Sequence, residues 1–245
     1  MSEREFEGRE FEGKVAFVTG AGHGMARATA LMFARQGAGL GLVDGNADEL
    51  DAVAGECRRL GAPVVERVVD LTSSASVNDA IAAVHDGLGR IDAAANVAGV
   101  YPRALVEEAS DEHWGAVIGT NLTGTFACCR ALVPIMKAQG GGAIVNVASP
   151  AGFRAVAGMA AYSASKAGIV ALSRTLAVEA APVRVNVVSP GATATRDTDA
   201  PALAVPLGRM AYPDEVAEVI RWLCGTGSSY LTGQVLHVDG GGSVL

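Results

Sequence analysis

Lys14-Val15-Ala16-Phe17-Val18-Thr19, followed by Gly20-Ala21-Gly22-His23-Gly24-Met25-Ala26, is the stretch on which the fold turns. The first six residues form a compact apolar run with several β-branched side chains, the pattern of a strand covered on both faces. The glycines then lead into a segment whose Ala28, Leu31 and Met32 share one helical face. Strand, glycine turn and helix in that order present backbone N–H groups and a positive dipole end to a pyrophosphate, and a Cβ in the turn would hold the phosphates away. A glycine-rich turn can also be only a turn, so the rest of the chain has to supply the site.

Working outward, the same rhythm repeats. Gly39 to Val43 reads as a second strand that ends in Asp44, and the helix after it carries an apolar stripe at Leu50, Val53, Ala54 and Cys57. Asp44 could cap that helix, but Asn46 is better placed, which leaves Asp44 free to accept the ribose hydroxyls of an adenosine. A carboxylate there repels a 2′-phosphate and Gly45 offers no cation, so NAD(H) is expected over NADP(H). Val64 to Val69 is a third strand, ending in Asp70-Leu71, where a side chain and the following backbone can flank an adenine ring. A helix with Val77, Ala80, Ile81, Val84 and Leu88 on one face follows. The fourth strand, near Ile91 to Asn96, opens into Asn96-Val97-Ala98-Gly99, residues small enough for a flat ring to lie close to the backbone. This alternation predicts an α/β, doubly wound parallel sheet of about seven strands, with helices on both faces and ligands at the carboxyl strand ends.

The chemistry is sought in Tyr162-Ser163-Ala164-Ser165-Lys166, inside an alanine-rich run from Gly158 to Ala181 that reads as one helix. A spacing of four puts the phenol and the ammonium on one face. A phenol ionises near pH ~10, so it carries protons poorly at neutral pH unless a neighbouring cation stabilises its anion, and Lys166 is placed to do that. Tyrosine and lysine one turn apart also occur by chance on many helices.

From about Lys14 to the C-terminus the chain resembles the short-chain dehydrogenase/reductase family. The family pattern Thr-Gly-x-x-x-Gly-x-Gly is present as Thr19-Gly20-Ala21-Gly22-His23-Gly24-Met25-Ala26, with alanine for the last glycine, and Asn-Asn-Ala-Gly as Asn96-Val97-Ala98-Gly99. Asn121-Leu122-Thr123-Gly124, in a helical stretch between Asp111 and Gln139, resembles the segment that carries a catalytic asparagine. Ser149, after a fifth strand at Ala143 to Val147, precedes Tyr162 by the thirteen residues typical of the family's serine and tyrosine. A sixth strand, Val183 to Val188, leads to Ser189-Pro190-Gly191-Ala192-Thr193-Ala194-Thr195, similar to the loop that holds a nicotinamide carboxamide. The C-terminal matches, from Leu207 through Asp239 to Gly241, read as structural.

The resemblance implies a single Rossmann-type catalytic domain over residues 14–245, NAD as cofactor and hydride transfer to or from a secondary alcohol or ketone. It implies Tyr162 as acid/base and Ser149 as donor to the substrate oxygen. Lys166 lowers the phenol's pKa and binds ribose, and Asn121 bends its helix so that a carbonyl holds a water. Gly20, His23, Gly24, Met25, Asp44, Asp70, Leu71, Asn96, Ala98, Gly99, Pro190, Gly191, Thr193 and Thr195 are the remaining cofactor candidates. His23 either grazes a phosphate or faces solvent. Tyr101, Pro150, Phe153, Met159 and Ala192 are candidate pocket walls, an apolar set that suits a small to medium aliphatic or ring alcohol. Residues 196–206 read as a short substrate lid. By the same resemblance the protein is a homotetramer joined through the helices around Asn121 and Tyr162.

Composition bounds the alternatives. The 245 residues are 50% apolar and 18% charged, with formal charge −7 and no basic stripe, which disfavours nucleic acid as a partner. The acidic start, Ser2 to Glu7, is unlike a signal peptide, and no apolar run approaches ~18 residues, so a cytoplasmic protein off the membrane is expected. Arg4 to Gly8 recurs as Arg9 to Gly13, and residues 1–13 read as a frayed extension. Cys57, Cys128, Cys129 and Cys224 read as buried thiols, and the four scattered histidines predict no metal site. A carrier-linked 3-oxoacyl reductase is the rival reading, and a non-catalytic dinucleotide-binding sensor or scaffold is the rival from another class.

Overall fold

Each expected strand forms, and its composition explains its place. The computed structural model describes residues 9–195 and 204–244. Strands β1 (Val15–Thr19), β2 (Gly39–Asp44), β3 (Val64–Val68), β4 (Ala93–Asn96), β5 (Gly142–Val147), β6 (Val183–Pro190) and β7 (Val235–Val238) make one sheet in the order β3-β2-β1-β4-β5-β6-β7. Every pairing is parallel. Side chains alternate across a strand, so Ala16 and Val18 of β1 enter one core while Val15 and Phe17 enter the other.

Helices α1 (Gly24–Arg35), α2 (Ala47–Arg59) and α7 (Pro213–Cys224) cover the first core. The second lies under α3 (Ser74–Leu88), α5 (Gly124–Ala138) and the end of α6 (Ala160–Glu179). The stripe expected on α2 is the buried one, with Leu50, Val53, Ala54 and Cys57 all inside. All four cysteines are free and buried, as expected. Strand order reverses at β1, between β2 and β4, which opens a crevice at the carboxyl ends of those strands.

The stretch Asp111–Ala138 is long and apolar enough to cross a membrane by length and composition alone. It is broken into α4 (Asp111–Ile118), a π-helical turn Gly119–Thr123 and α5, and 44% of its most apolar window is buried against the protein.

One boundary needs correcting. The second copy of the duplicated pentapeptide, Arg9 to Gly13, is not frayed: it is built into the fold. Phe11 is 1% exposed, its ring edge-on to Phe33 of α1 at 4.9 Å. The Glu10 carboxylate accepts from the Arg221 guanidinium at 2.6 Å and from the N–H and hydroxyl of Thr226 at 2.7 and 3.0 Å. Burial pushes the Glu10 carboxyl up, but these partners outweigh it and hold it below its usual range. The first copy, within residues 1–8, lies outside the described residues. We expect Phe11→Ala to destabilise the fold by about 3–5 kcal/mol, as a large buried aromatic does on truncation. In a thermal melt, Tm should fall by roughly 10 °C, and an unchanged Tm would place Phe11 outside the core.

Candidate active site

The glycine turn between β1 and α1 forms one wall of a cavity of about 950 Å³ at the crevice. Helices α2, α3 and α4 begin with side-chain caps from Asn46, Ser73 and Ser110. At α1 the N-cap is His23, which makes no side-chain cap bond, and the first turn holds no acidic residue. Its amide dipoles are left for an anion from outside. A Cβ on Gly20 would lie 2.9 Å from the Ala98 backbone, and one on Gly24 would lie 3.1 Å from Thr195, so this cradle exists only with glycine at both positions.

Further along, Asp44, Asp70 and Leu71 line the cavity with Val68 and Val69. Asn46 does cap α2. Asp44 is less free than expected, because Oδ2 accepts the Gly22 N–H at 2.9 Å and Oδ1 the Asn46 N–H at 2.9 Å. It holds the glycine turn in place and retains lone pairs toward the cavity. Asp70 lines the cavity while its Oδ1 accepts the N–H and hydroxyl of Thr72, which draws its pKa down.

At the other end, Tyr101 lines the cavity and meets the Tyr162 ring edge-on at 6.1 Å. Tyr162 and Lys166 share a face of α6, with the ammonium 5.6 Å from the ring centroid. Lys166 is 3% exposed and donates to the Val147 carbonyl at 2.8 Å. A Cβ on Gly99 would sit 3.4 Å from Lys166 Nζ and 3.3 Å from Asn121 Oδ1, so both groups lie directly behind the cavity floor. Burial, without a carboxylate partner, lowers the Lys166 pKa to about 8.

The expected lowering of the phenol's pKa is corrected here. Burial, the largest influence, raises Tyr162 above the usual phenol range, the Ser149 side chain opposes it through a hydrogen bond, and Tyr101 adds to the rise. Ser149 reaches the phenol from the turn after β5, where it also accepts the Ala151 N–H at 3.3 Å.

Asn121 sits at the centre of the π turn and is fully buried. Its amide exchanges two hydrogen bonds with the Val100 backbone, at 2.8 and 2.9 Å, and donates to Ser165 Oγ at 3.1 Å. It therefore ties the loop after β4 to α6 and fixes where Tyr101 meets Tyr162. The carbonyl expected to hold a water accepts the Thr125 hydroxyl at 2.6 Å.

Three groups of candidates fall elsewhere. The Asn96 side chain points into the core, donating to Asn146 Oδ1 at 2.8 Å, and does not line the cavity. Pro190 ends β6, Gly191 donates its N–H to Val238 and Thr193 bridges to Ala211, so they shape the loop from which Thr195 alone lines the cavity. Of the proposed walls only Tyr101 lines it, whereas Phe153 packs on His237 at 4.9 Å. The lid expectation falls mainly on residues 196–203, outside the described residues. Val100, Pro102 and Thr120 line the cavity and were not singled out, although each adjoins a motif residue. Among the described residues no cluster of His, Cys, Asp and Glu could hold a metal ion.

Ser149, Tyr162 and Lys166 do not themselves line the cavity but stand beside Tyr101 and behind Gly99; a glycine cradle at a helix N-terminus with such a set adjoining it defines a dinucleotide-binding oxidoreductase site. Comparison with known proteins agrees. A family profile described as enoyl-(acyl carrier protein) reductase matches residues 20–243. A 3-oxoacyl-(acyl-carrier-protein) reductase of Thermotoga maritima is 40% identical over 240 residues, covering 94% of this chain and 98% of that protein. A D-threitol dehydrogenase of Mycolicibacterium smegmatis is 39% identical over 241 residues, covering 94% and 93%. Among solved structures, NAD+-bound xylitol dehydrogenase superposes with a TM-score of 0.89 at 32% identity, covering 95% of this chain and all of that one (100%). Levodione reductase gives 0.91 at 32% identity, covering 96% and 99%. The chain belongs to the short-chain dehydrogenase/reductase family and is an oxidoreductase of alcohols or ketones.

Proposed function

We propose that the protein is an NAD-dependent dehydrogenase/reductase of small to medium, largely apolar secondary alcohols and ketones. The observation that carries this reading is the Asp44 carboxylate at the end of β2, on the wall of a cavity whose other end is lined by Tyr101, with the Tyr162 ring 6.1 Å behind it. Gly20, Gly24 and the α1 amides would hold the pyrophosphate, Asp44 the adenosine ribose, and Asp70 with Leu71 the adenine edge. When bound, the nicotinamide supplies or accepts the hydride.

The chain's own groups manage the proton. In reduction the Tyr162 phenol is the acid: protonated at neutral pH, it gives its proton to the developing alkoxide. Ser149 holds the same oxygen by a hydrogen bond, and the buried Lys166 charge stabilises the phenolate that is left. A cytoplasmic tetramer completes the reading, since Trp114 and Phe126 leave apolar surface on α4 and α5.

A second reading, a reductase of carrier-linked 3-oxoacyl groups, is favoured by the Thermotoga maritima relative. One assay separates the two. Ketones and a 3-oxoacyl thioester are offered with NADH or NADPH. We expect a higher kcat/KM with NADH and on the ketones. A lower KM for NADPH would overturn the cofactor assignment, and turnover confined to the thioester would favour the second reading.

A further inference from the structure

Among the described residues that line the cavity, His23 is the only one with a basic side chain. Its Nδ1 lies 3.3 Å from Oε2 of Glu49, in the first turn of α2, with the two side chains 56% and 48% exposed. Gly22 makes this approach possible, because a Cβ there would lie 2.8 Å from Glu49 Cβ and 3.1 Å from Asp44 Oδ2. Two carboxylates therefore close on one turn, Asp44 through the Gly22 N–H and Glu49 through the His23 ring.

A ribose 2′-phosphate brings negative charge to the place where Asp44 would receive hydroxyls, and it needs a cation to be tolerated. The one imidazole available is already paired. We infer that Glu49 is a second determinant of cofactor choice, withholding His23 from a 2′-phosphate by ion-pairing it. This rests on the NAD reading proposed above. Asp44 sets the sign of the preference and Glu49 enlarges it by occupying the cation that could offset it.

The test is direct binding, by calorimetry at pH 6.5. Kd for NADH and for NADPH is measured on the wild type, Glu49→Gln, His23→Ala and the double variant, with Asp51→Asn as a change of equal charge on the same helix. Glu49→Gln should tighten NADPH by about 3- to 10-fold and change NADH by less than about twofold. The gain should vanish in the double variant, and Asp51→Asn should leave the ratio of the two constants unaltered. An unchanged ratio in Glu49→Gln overturns the inference, as does a gain that survives without His23 or that Asp51→Asn reproduces. A wild type that binds NADPH more tightly than NADH is a different failure, because it removes the cofactor reading itself.

Discussion

Tyr162→Phe is expected to lower kcat by about 10²–10⁴-fold, the usual contribution of a positioned acid or base, while dinucleotide affinity stays within about twofold. The substitution removes one hydroxyl and keeps the ring, so the edge-on contact with Tyr101 at 6.1 Å and the position of α6 persist. What is lost is the proton donor that bonds Ser149 and lies beside Tyr101 at the cavity end. Single-turnover oxidation of bound NADH by a ketone reads the step directly, and titration of protein fluorescence reads the affinity. The removed hydroxyl also takes a partner from Ser149, but an unpaired hydroxyl costs about 1–3 kcal/mol and leaves the proton source as the dominant loss. Full residual turnover would reject Tyr162 as the acid, whatever happened to stability.

This expectation was readable before any coordinates, because the spacing of four on a helix fixes which side chains share a face. The same holds for the sheet: β-branched runs alternating with amphipathic helices allow few topologies, and the glycine turn marks where the ligand lies. Other features depend on contacts between distant segments. Nothing local in Arg9 to Gly13 says that Phe11 is covered, since its cover is Phe33 and Glu10's partners lie on and beyond α7. Asn96 looked like a cavity residue because its neighbours Ala98 and Gly99 are, yet alternation along β4 turns its side chain toward Asn146 on β5. The Tyr162 pKa was misread for a related reason. Sequence spacing shows a nearby cation but not the desolvation that works against it.

Lys166→Met should abolish most activity, by about 10²-fold or more as charge stabilisation at the reacting centre is lost, and yet not lower stability. The ammonium is buried with one hydrogen bond, to the Val147 carbonyl, and no carboxylate beside it. Its folded pKa of about 8 lies below the usual lysine value of 10.5, which corresponds to a penalty on the order of 3 kcal/mol at neutral pH. Methionine removes that penalty at the expense of an unpaired carbonyl, about 1–3 kcal/mol, so the variant should match or exceed the wild type in urea at pH 7. The sign of the pH dependence follows. Between about pH 8 and 10.5 the unfolded lysine keeps its proton while the native one loses it, so wild-type stability should gain on the variant across that window. The buried thiols act the other way. Cys57, raised to about 11, and Cys129 and Cys224, raised to about 12, stay protonated in the fold while their unfolded counterparts ionise, so both proteins lose stability as pH rises. That loss is common to the two and cancels in the difference. The difference in urea midpoint should therefore move in the wild type's favour from pH 7 to 10, and two curves that ran parallel would mean that Lys166 is not held in the fold at a depressed pKa. With the expected shift, the group that serves the reaction is one the native structure holds at a net penalty, which is how a catalytic charge differs from a stabilising one.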